Sequence, residues 1–300
     1  MTRSIMCVLL LSAVLSNQQA VASGPPDSLR TAIARILEHA PGKVGVAVLG
    51  LEQDDTLTFN GDDRFPMQSV FKFPLALAVL HQVDAGTMSL DQLVHIGSDD
   101  LLPNTWSPLK EKYPAGNVDI TLRDLLTFTV AHSDNNGCDI LFRLVGGPHA
   151  VENYVRALGI TQMAIATTEA DMHKDGKAQY RNWCSPAAMA RLLAEFHRKK
   201  LLSTATQDYL MQTMVNTTTG TKKIKGLLPA AAVIAHKTGS SGTDEEGLTA
   251  ASNDVGIMTL PDGAHVAIAV FVTDAKADES MCEAIIARIA RAVWDAHTPP

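Results

Sequence analysis

The sequence lacks an excess of basic residues, and this absence limits the partners that we expect. Its 300 residues include 25 lysines and arginines against 32 acidic residues, which gives a formal net charge of −7. A nucleic-acid-binding surface requires a basic patch, and anionic lipid attracts clusters of lysine and arginine. We therefore predict no nucleic-acid partner and no electrostatic attachment to a membrane.

Cysteine is also scarce, with four residues in the chain. Cys7 lies in an apolar N-terminal run, so Cys138, Cys184 and Cys282 remain for the folded protein. An odd number of cysteines does not make a disulfide framework, and buried free thiols are the expected state. The ten histidines show no His-x-x-x-His spacing with acidic partners, so we predict no metal site and no cofactor.

Long apolar runs are absent except near the N-terminus. Arg3 precedes an apolar run at residues 5–15, and the small residues 20–22 (AVA) follow it. The run is too short to span a bilayer, and the pattern is typical of a secretory signal cleaved near Ser23. We predict a signal peptide at residues 1–22 and a secreted, periplasmic protein without a membrane anchor.

Strand patterns occur near both ends of the remaining chain, and helical patterns fill its middle. The predicted strands cover residues 43–51, 56–59, 233–238, 252–260 and 265–272. The predicted helices begin near residues 27, 66, 121, 133, 149, 187, 204 and 279. A long polar connection with little periodicity is predicted at residues 166–186.

This order predicts an α/β (α+β) fold with an antiparallel sheet of about five strands. N- and C-terminal helices are expected to flank the sheet, and an all-helical domain is expected between its strands. The predicted sheet domain is discontinuous, with residues 23–64 and 216–300, and the helical domain covers residues 65–215. We predict the active site between the two domains.

The segment FPMQSVFKFP, residues 65–74, carries the first candidate catalytic pair. Pro66 suits the first turn of a helix, which would place Ser69 and Lys72 on one helix face. A serine hydroxyl is a weak nucleophile without a base, and an amine in apolar surroundings can be that base because burial favours its neutral form. A helix-capping serine and an exposed lysine would explain this short motif equally well.

Two further motifs contain residue types that such a serine requires. The SDN motif at residues 133–135 lies at a predicted helix start, where it could cap the helix or supply a hydroxyl for proton transfer and an amide for a substrate carbonyl. The KTG motif at residues 237–239 ends a predicted strand, where its lysine could meet a substrate carboxylate and its glycine permits close backbone approach. The three motifs in this order are far more specific than any one alone, so we favour a catalytic role.

With these motifs the chain resembles the class A serine beta-lactamases over essentially its whole mature length. The segments RFPM at 64–67, WSP at 106–108, NDVG at 253–256 and LPDG at 260–263 support the resemblance. It implies the beta-lactamase/transpeptidase-like fold, a small-molecule beta-lactam substrate, no cofactor or metal, and a monomer. It also implies an enzyme that confers resistance to beta-lactam antibiotics.

The resemblance implies four catalytic residues. Ser69 would attack the lactam carbonyl and become acylated, Lys72 would take or relay its proton, and Ser133 would return a proton to the lactam nitrogen. Glu169, in the long loop, would activate the water that frees the acyl-enzyme. Whether Lys72 or Glu169 is the base for acylation stays open. A solvated loop acid is the alternative role of Glu169.

The resemblance also implies an oxyanion hole and a set of substrate contacts. The backbone N–H groups of Ser69 and Ser240 would bind the developing oxyanion. The implied substrate-binding residues are Trp106, Asn135, Lys237, Thr238, Gly239, Ser240 and Ser241.

The chain departs from the usual pattern of the family at several positions. His173 replaces the asparagine that normally helps to position the hydrolytic water, and imidazole can take the same role. Thr167 and Asn182 stand where an arginine–aspartate pair usually fastens the loop, so we expect different contacts to close it. The usual arginine beside the substrate carboxylate is absent, and Lys223 is a candidate replacement.

Gln68 and Ser241 exclude the cysteine pair of some carbapenem-hydrolysing relatives. Together with His173 and Asn182, Gln68 resembles a sub-branch with extended-spectrum, broad cephalosporin activity.

Three alternatives share part of this pattern. A penicillin-binding transpeptidase or carboxypeptidase has the serine, lysine and strand motifs but lacks the deacylating glutamate. A beta-lactam-sensing domain is a binding module that is acylated once, and it normally sits on a membrane helix. A serine-dependent glutaminase of related fold is a third, more distant alternative.

Overall fold

The computed structural model describes residues 27–198 and 201–297 of the chain. Its strands are β1 (Lys43–Gly50), β2 (Thr56–Phe59), β3 (Phe65–Pro66), β4 (Leu93–Ile96), β5 (Val118–Thr121), β6 (Met163–Ala164), β7 (Trp183–Cys184), β8 (Ile234–Ser240), β9 (Thr249–Thr259) and β10 (His265–Ala275). Its α-helices are α1 (Asp27–Leu37), α2 (Lys72–Asp84), α3 (Pro108–Lys112), α4 (Leu122–Ala131), α5 (Asn135–Val145), α6 (Pro148–Ala157), α7 (Glu169–Lys174), α8 (Pro186–His197), α9 (Thr204–Val215) and α10 (Glu279–Ala296). The predicted signal peptide, residues 1–22, lies outside the described residues.

A five-stranded antiparallel sheet in the order β2-β1-β10-β9-β8 forms the centre of the fold. Its strands come from both ends of the chain, which confirms the predicted fold class. The first strand pairs with the last, from Lys43 opposite Thr273 to Gly50 opposite Val266. The division into domains at residues 65 and 215 stays a prediction.

Alternating side chains on these strands build two separate cores, because successive residues of a strand point to opposite faces. Val44, Val46 and Val48 of β1 pack with α1 and α10 on one face. Ala47 of β1 and Phe271 of β10 belong to the core on the other face, which α8 covers. Both faces are therefore buried, and the apolar runs seen in the strand sequences follow from this.

The segment before α2 differs from its sequence-based prediction. Pro66 lies in β3, and a 3-10 turn at Gln68–Phe71 precedes the helix. The side chain of Asn253 on β9 donates to the backbone oxygens of Pro66 (2.8 Å) and Met67 (3.1 Å), which holds this segment against the sheet. A tertiary contact therefore outweighs the preference of proline for a first helical turn. From Lys72 to Leu80 α2 is buried on all sides, as the sequence predicted.

The middle of the chain contains two small sheets in addition to its helices. Strands β4 and β5 pair with each other, and β3, β7 and β6 form a three-stranded sheet. The connection at residues 166–186 is also more regular than predicted, with α7, a 3-10 turn at Gly176–Arg181 and β7. Among the described residues, no helix is long and apolar enough to cross a membrane.

The three cysteines of the folded part, Cys138, Cys184 and Cys282, are free and buried, as expected from the sequence. Burial raises the pKa of each thiol above its usual value, which keeps the thiols neutral and unreactive.

Candidate active site

Ser69 lies in the 3-10 turn that leads into α2, beside the edge strand β8. Gln68, the residue before it, has a φ of +48°, a left-handed conformation that non-glycine residues rarely adopt. Gly239 of β8 packs directly against this turn. A Cβ atom at residue 239 would lie 2.5 Å from the backbone oxygen of Met67 and 3.1 Å from the nitrogen of Ser69. Only glycine therefore permits this approach between strand and serine.

Lys72 is the centre of the polar contacts around the serine. Its Nζ lies 2.9 Å from Ser69 Oγ and 2.8 Å from Glu169 Oε1. The same Nζ lies 2.8 Å from the backbone oxygen of Ser133 and 2.5 Å from Asn135 Oδ1. Lys72 is fully buried and the side chain of Glu169 is 10% exposed, so the ion pair is shielded from bulk water. The amine thus joins the serine to the loop glutamate, whose Oε1 is 3.4 Å from Ser69 Oγ.

Ser133 is not the cap of the helix that follows it. Asp134 is the N-cap of α5, and its carboxylate accepts bonds from the backbone N–H of Gly137 and Leu109 and from the hydroxyl of Ser107. Burial raises the pKa of Asp134, and these hydrogen bonds oppose that rise. Ser133, at a φ of +58°, is left free to turn its hydroxyl toward the pocket.

Two buried amines lie at the end of β8, one from the strand itself and one from the residue before the 3-10 turn at Ile224–Leu227. Lys237 Nζ donates to Ser133 Oγ and to the backbone oxygen of Thr238, each at 2.9 Å. Lys223 Nζ donates to Ser240 Oγ at 2.6 Å. Burial lowers the pKa of both lysines, and for Lys237 the nearby charge of Lys72 lowers it further. Lys223, the candidate replacement for the missing arginine, therefore lies beside the KTG strand.

Glu169 is held by a residue that the motif analysis missed. The carboxylate of Asp139 on α5 accepts bonds from the backbone N–H of Glu169 and Ala170, both at 2.8 Å, at the first turn of α7. Burial raises the pKa of Asp139 to about 6. The available signal was helical spacing, since Asp139 is four residues after Asn135 and shares its helix face.

The loop is closed by an amide, in agreement with the expectation of contacts other than an ion pair. Asn182 Oδ1 accepts bonds from the backbone N–H of Ala166 (2.7 Å) and Thr167 (3.0 Å), and its Nδ2 donates to the oxygen of Thr167 (2.9 Å). Asn182 and Thr167 are both fully buried. Gln68 Nε2 donates to Gln179 Oε1 at 2.5 Å, which joins the serine turn to the same loop.

These groups surround a cavity of about 360 Å³, a size that suits a small molecule. Its lining includes Gln68, Ser69, Trp106, Ser133, Asn135, Glu169, Lys223, Thr238, Gly239 and Ser240. Trp106 is 57% exposed at the rim, and its Nε1 donates to the backbone oxygen of His132 at 2.8 Å. Lys72 and Lys237 are buried beneath the lining.

Two predicted residues lie beside this cavity and not in it. His173 and Ser241 line an adjoining cavity of about 230 Å³, which shares Glu169, Asn135 and Ser240 with the first. The side chain of His173 is exposed at the end of α7. The structure therefore brings all of the predicted residues to one region, with His173 at its outer edge.

Comparison with known proteins shows the family. A model of the beta-lactamase enzyme family matches residues 28–297. The extended-spectrum beta-lactamase PER-1 of Pseudomonas aeruginosa is 44% identical over 285 residues, which cover 95% of this chain and 92% of that protein. The chain belongs to the beta-lactamase family.

Solved structures agree with this assignment. A beta-lactamase from Chitinophaga pinensis is 56% identical, with a TM-score of 0.88 over 90% of this chain and 99% of that one. A class A beta-lactamase from Bacteroides cellulosilyticus is 41% identical, with a TM-score of 0.87 over 91% of this chain and 98% of that one. The protein is thus a class A beta-lactamase, and a small-molecule beta-lactam is its substrate.

Proposed function

We propose that this beta-lactamase opens the lactam ring of penicillins and cephalosporins through an acyl-enzyme on Ser69. The observation that carries the proposal is the position of Lys72, whose Nζ contacts both Ser69 Oγ and Glu169 Oε1. A serine nucleophile needs a base within hydrogen-bonding distance. The ester that forms on the serine then needs a second base, which activates the water that hydrolyses it. One buried amine between the two groups links both requirements.

In the proposed acylation step, Lys72 acts as the base in its neutral form and takes the proton of Ser69. Ser69 attacks the lactam carbonyl, and the backbone N–H groups of Ser69 and Ser240 stabilise the oxyanion. The carbon–nitrogen bond of the lactam breaks as Ser133 gives its proton to the nitrogen, and Ser133 regains a proton from the Lys72 ammonium, which carries the proton of Ser69. The Oγ of Ser133 is 2.9 Å from Lys237 Nζ. Lys237 donates a hydrogen bond to the oxygen of this hydroxyl, which favours transfer of the hydroxyl proton to the lactam nitrogen.

In the proposed deacylation step, Glu169 removes a proton from a water molecule that attacks the ester. The bond between the acyl carbon and Ser69 Oγ breaks, and Glu169 passes the proton to this oxygen, which lies 3.4 Å from its Oε1. Asp139 fixes the backbone of Glu169 through two hydrogen bonds, so the carboxylate keeps its position through the reaction. His173 on the same helix is proposed to position this water from the outer edge of the site. A glutamate base in this position distinguishes a hydrolase from a sensor that is acylated once.

The substrate carboxylate is proposed to bind at the strand end. Lys237 and Lys223 place two amines beside Thr238 and Ser240, and together they can replace the missing arginine. Trp106 forms an apolar wall at the rim, and the amide of Asn135 holds the acylamido side chain. Gly239 and Ser241 complete the strand edge. PER-1 is named as an extended-spectrum enzyme, and we propose the same breadth toward cephalosporins here.

Replacing Glu169 with glutamine tests the mechanism. We expect Glu169→Gln to acylate rapidly and then stall, so intact-protein mass spectrometry should show one equivalent of drug bound to Ser69. Glu245→Gln, at an exposed loop position, is the matched control and should hydrolyse the drug at the wild-type rate. Full turnover by Glu169→Gln would remove this glutamate from the mechanism.

The same measurement on the wild type separates the alternatives. A hydrolase converts many equivalents of a chromogenic cephalosporin, whereas a sensing domain or a transpeptidase releases colour only in proportion to its own concentration. A burst of one equivalent without further turnover by the wild type would refute the proposal.

We also propose secretion to the periplasm and a role in antibiotic resistance. The N-terminal pattern at residues 1–22 supports this location. Bacteria that express the full chain should grow at higher cephalosporin concentrations than bacteria that express the chain from Ser23, with equal amounts of enzyme in the two lysates. Equal resistance in the two strains would contradict export by this segment.

A further inference from the structure

Three potential metal ligands converge outside the active site, although the sequence spacing predicted no metal site. Glu52 follows β1 in the hairpin, His265 is the first residue of β10, and His197 is the last residue of α8. One ligand atom from each side chain lies within 4.8 Å of the other two. Among the residues that the structure describes, no other group of three His, Cys, Asp or Glu side chains meets this condition.

The carboxylate of Glu52 is oriented by the strand end. Its Oε2 accepts a bond from the backbone N–H of His265 at 3.0 Å, and its Oε1 lies 2.9 Å from His265 Nδ1. The backbone N–H of Leu51 also donates to the oxygen of His265 at 2.9 Å. These contacts fix the carboxylate beside one imidazole.

The end of α8 brings the second imidazole to the same place. Arg198 donates to the backbone oxygen of Leu51 at 3.4 Å and pairs with Asp54 of the hairpin. The ring of His197 lies 4.4 Å from that of His265, measured between centroids. The C-terminus of a helix carries partial negative charge, which favours a cation at this position.

A neighbouring cavity adds an independent observation. His197 and His265 line a cavity of about 220 Å³ together with Gln207. Gln207 is 1% exposed, and its Oε1 has no hydrogen-bond partner among the described residues. A buried amide oxygen without a donor is uncommon, and a water molecule in this cavity would supply the missing donor.

We propose that Glu52, His197 and His265 bind one Zn²⁺ ion. Two imidazoles and a carboxylate are a common zinc ligand set, with water in the fourth position. Ligand atoms around tetrahedral zinc lie about 3.3 Å apart, so the side chains must move closer on binding. Glu52 and His265 have side chains that are 47% and 30% exposed, which leaves room for this movement. The ion would clamp the hairpin and α8 to the start of β10.

The test measures zinc binding to the purified enzyme by equilibrium dialysis and metal analysis, with thermal unfolding in parallel. We expect one equivalent of zinc per chain and a higher Tm with zinc present. Glu52→Gln, His197→Gln and His265→Gln should each weaken the affinity at least about tenfold and lose the Tm rise. His95→Gln is the matched control, because His95 pairs with an aspartate at 2.8 Å on the surface without a third ligand.

None of the three proposed ligands lines the active-site cavities, so the variants should retain cephalosporin turnover, which verifies their folding. If His197→Gln fails to fold, Glu52→Gln and His265→Gln on the surface decide the outcome. Equal zinc affinity in the wild type and these variants, or no binding by the wild type, would overturn the proposal.

Discussion

Replacing Asp139 with asparagine separates two opposing effects of one partly buried carboxylate. In the wild type the carboxylate accepts two backbone N–H bonds that hold Glu169 and Ala170, and burial raises its pKa from 3.8 to about 6. Asparagine keeps one acceptor oxygen but turns an NH₂ group toward the second N–H. It also removes the charge whose burial is unfavourable.

The two effects have similar magnitude at neutral pH. A rise of about two pKa units corresponds to at most about 3 kcal/mol of destabilisation by the ionised form. Loss of one hydrogen bond to a charged acceptor costs about 1.5–3 kcal/mol. We therefore expect the free energy of unfolding of Asp139→Asn at pH 7 to lie within about 1.5 kcal/mol of the wild-type value.

The pH dependence differs between the two proteins. Because the folded-state pKa of Asp139 is above the unfolded value, the folded protein binds more protons between pH 4 and pH 6. Wild-type stability relative to Asp139→Asn should thus be greatest near pH 4 and fall by up to about 3 kcal/mol by pH 7. The variant lacks this titrating group, so its own stability should not fall for this reason.

Urea unfolding at pH 4, 5, 6 and 7 measures this difference. Asp262→Asn is the matched control, because Asp262 also accepts a backbone N–H, from Ala264 at 3.0 Å, but is exposed. The difference in free energy of unfolding between Asp262→Asn and the wild type should stay constant with pH to within about 0.5 kcal/mol. A constant difference for Asp139→Asn as well would show that burial does not raise the pKa of Asp139, and would refute the reasoning.

A kinetic effect should accompany Asp139→Asn. With one of its two anchoring bonds lost, Glu169 is positioned less well, and about 1.4 kcal/mol of lost stabilisation slows deacylation about tenfold. Single-turnover kinetics should show unchanged acylation and slower release of product. Slower acylation with normal release would contradict the proposed role of the anchor.

Three further predictions concern the catalytic strand and serine. Ser69→Ala should abolish hydrolysis of a chromogenic cephalosporin, and a retained rate would refute the serine route. Gly239→Ala should lower turnover at least about tenfold, and it should lower the free energy of urea unfolding by about 1–3 kcal/mol, because the new Cβ would meet backbone atoms at 2.5 Å and 3.1 Å. Wild-type values of both would mean that the strand can move away. Lys223→Met should raise KM about tenfold with a smaller change in kcat, because a buried cation beside Ser240 is lost, whereas the exposed control Lys222→Met should change neither.

Local patterns in the sequence determined the main elements of this enzyme. Strand and helix patterns depend on which faces of an element are buried, and the apolar runs of β1 and β10, whose two faces are both buried, are visible in the chain itself. Each of the three catalytic motifs consists of a few neighbouring residues, so all three can be read from the sequence before the fold is known. Their order along the chain then indicated the family.

Only the tertiary structure decided which residues support these motifs. Asp139, Asn182 and Asn253 bind backbone groups of distant segments, and no local pattern encodes a side chain that serves another part of the chain. The same holds for Glu52 and His265, which are 213 positions apart and meet at a strand end. A contact between distant segments depends on the register and packing of whole elements, and these are fixed only when the complete fold forms.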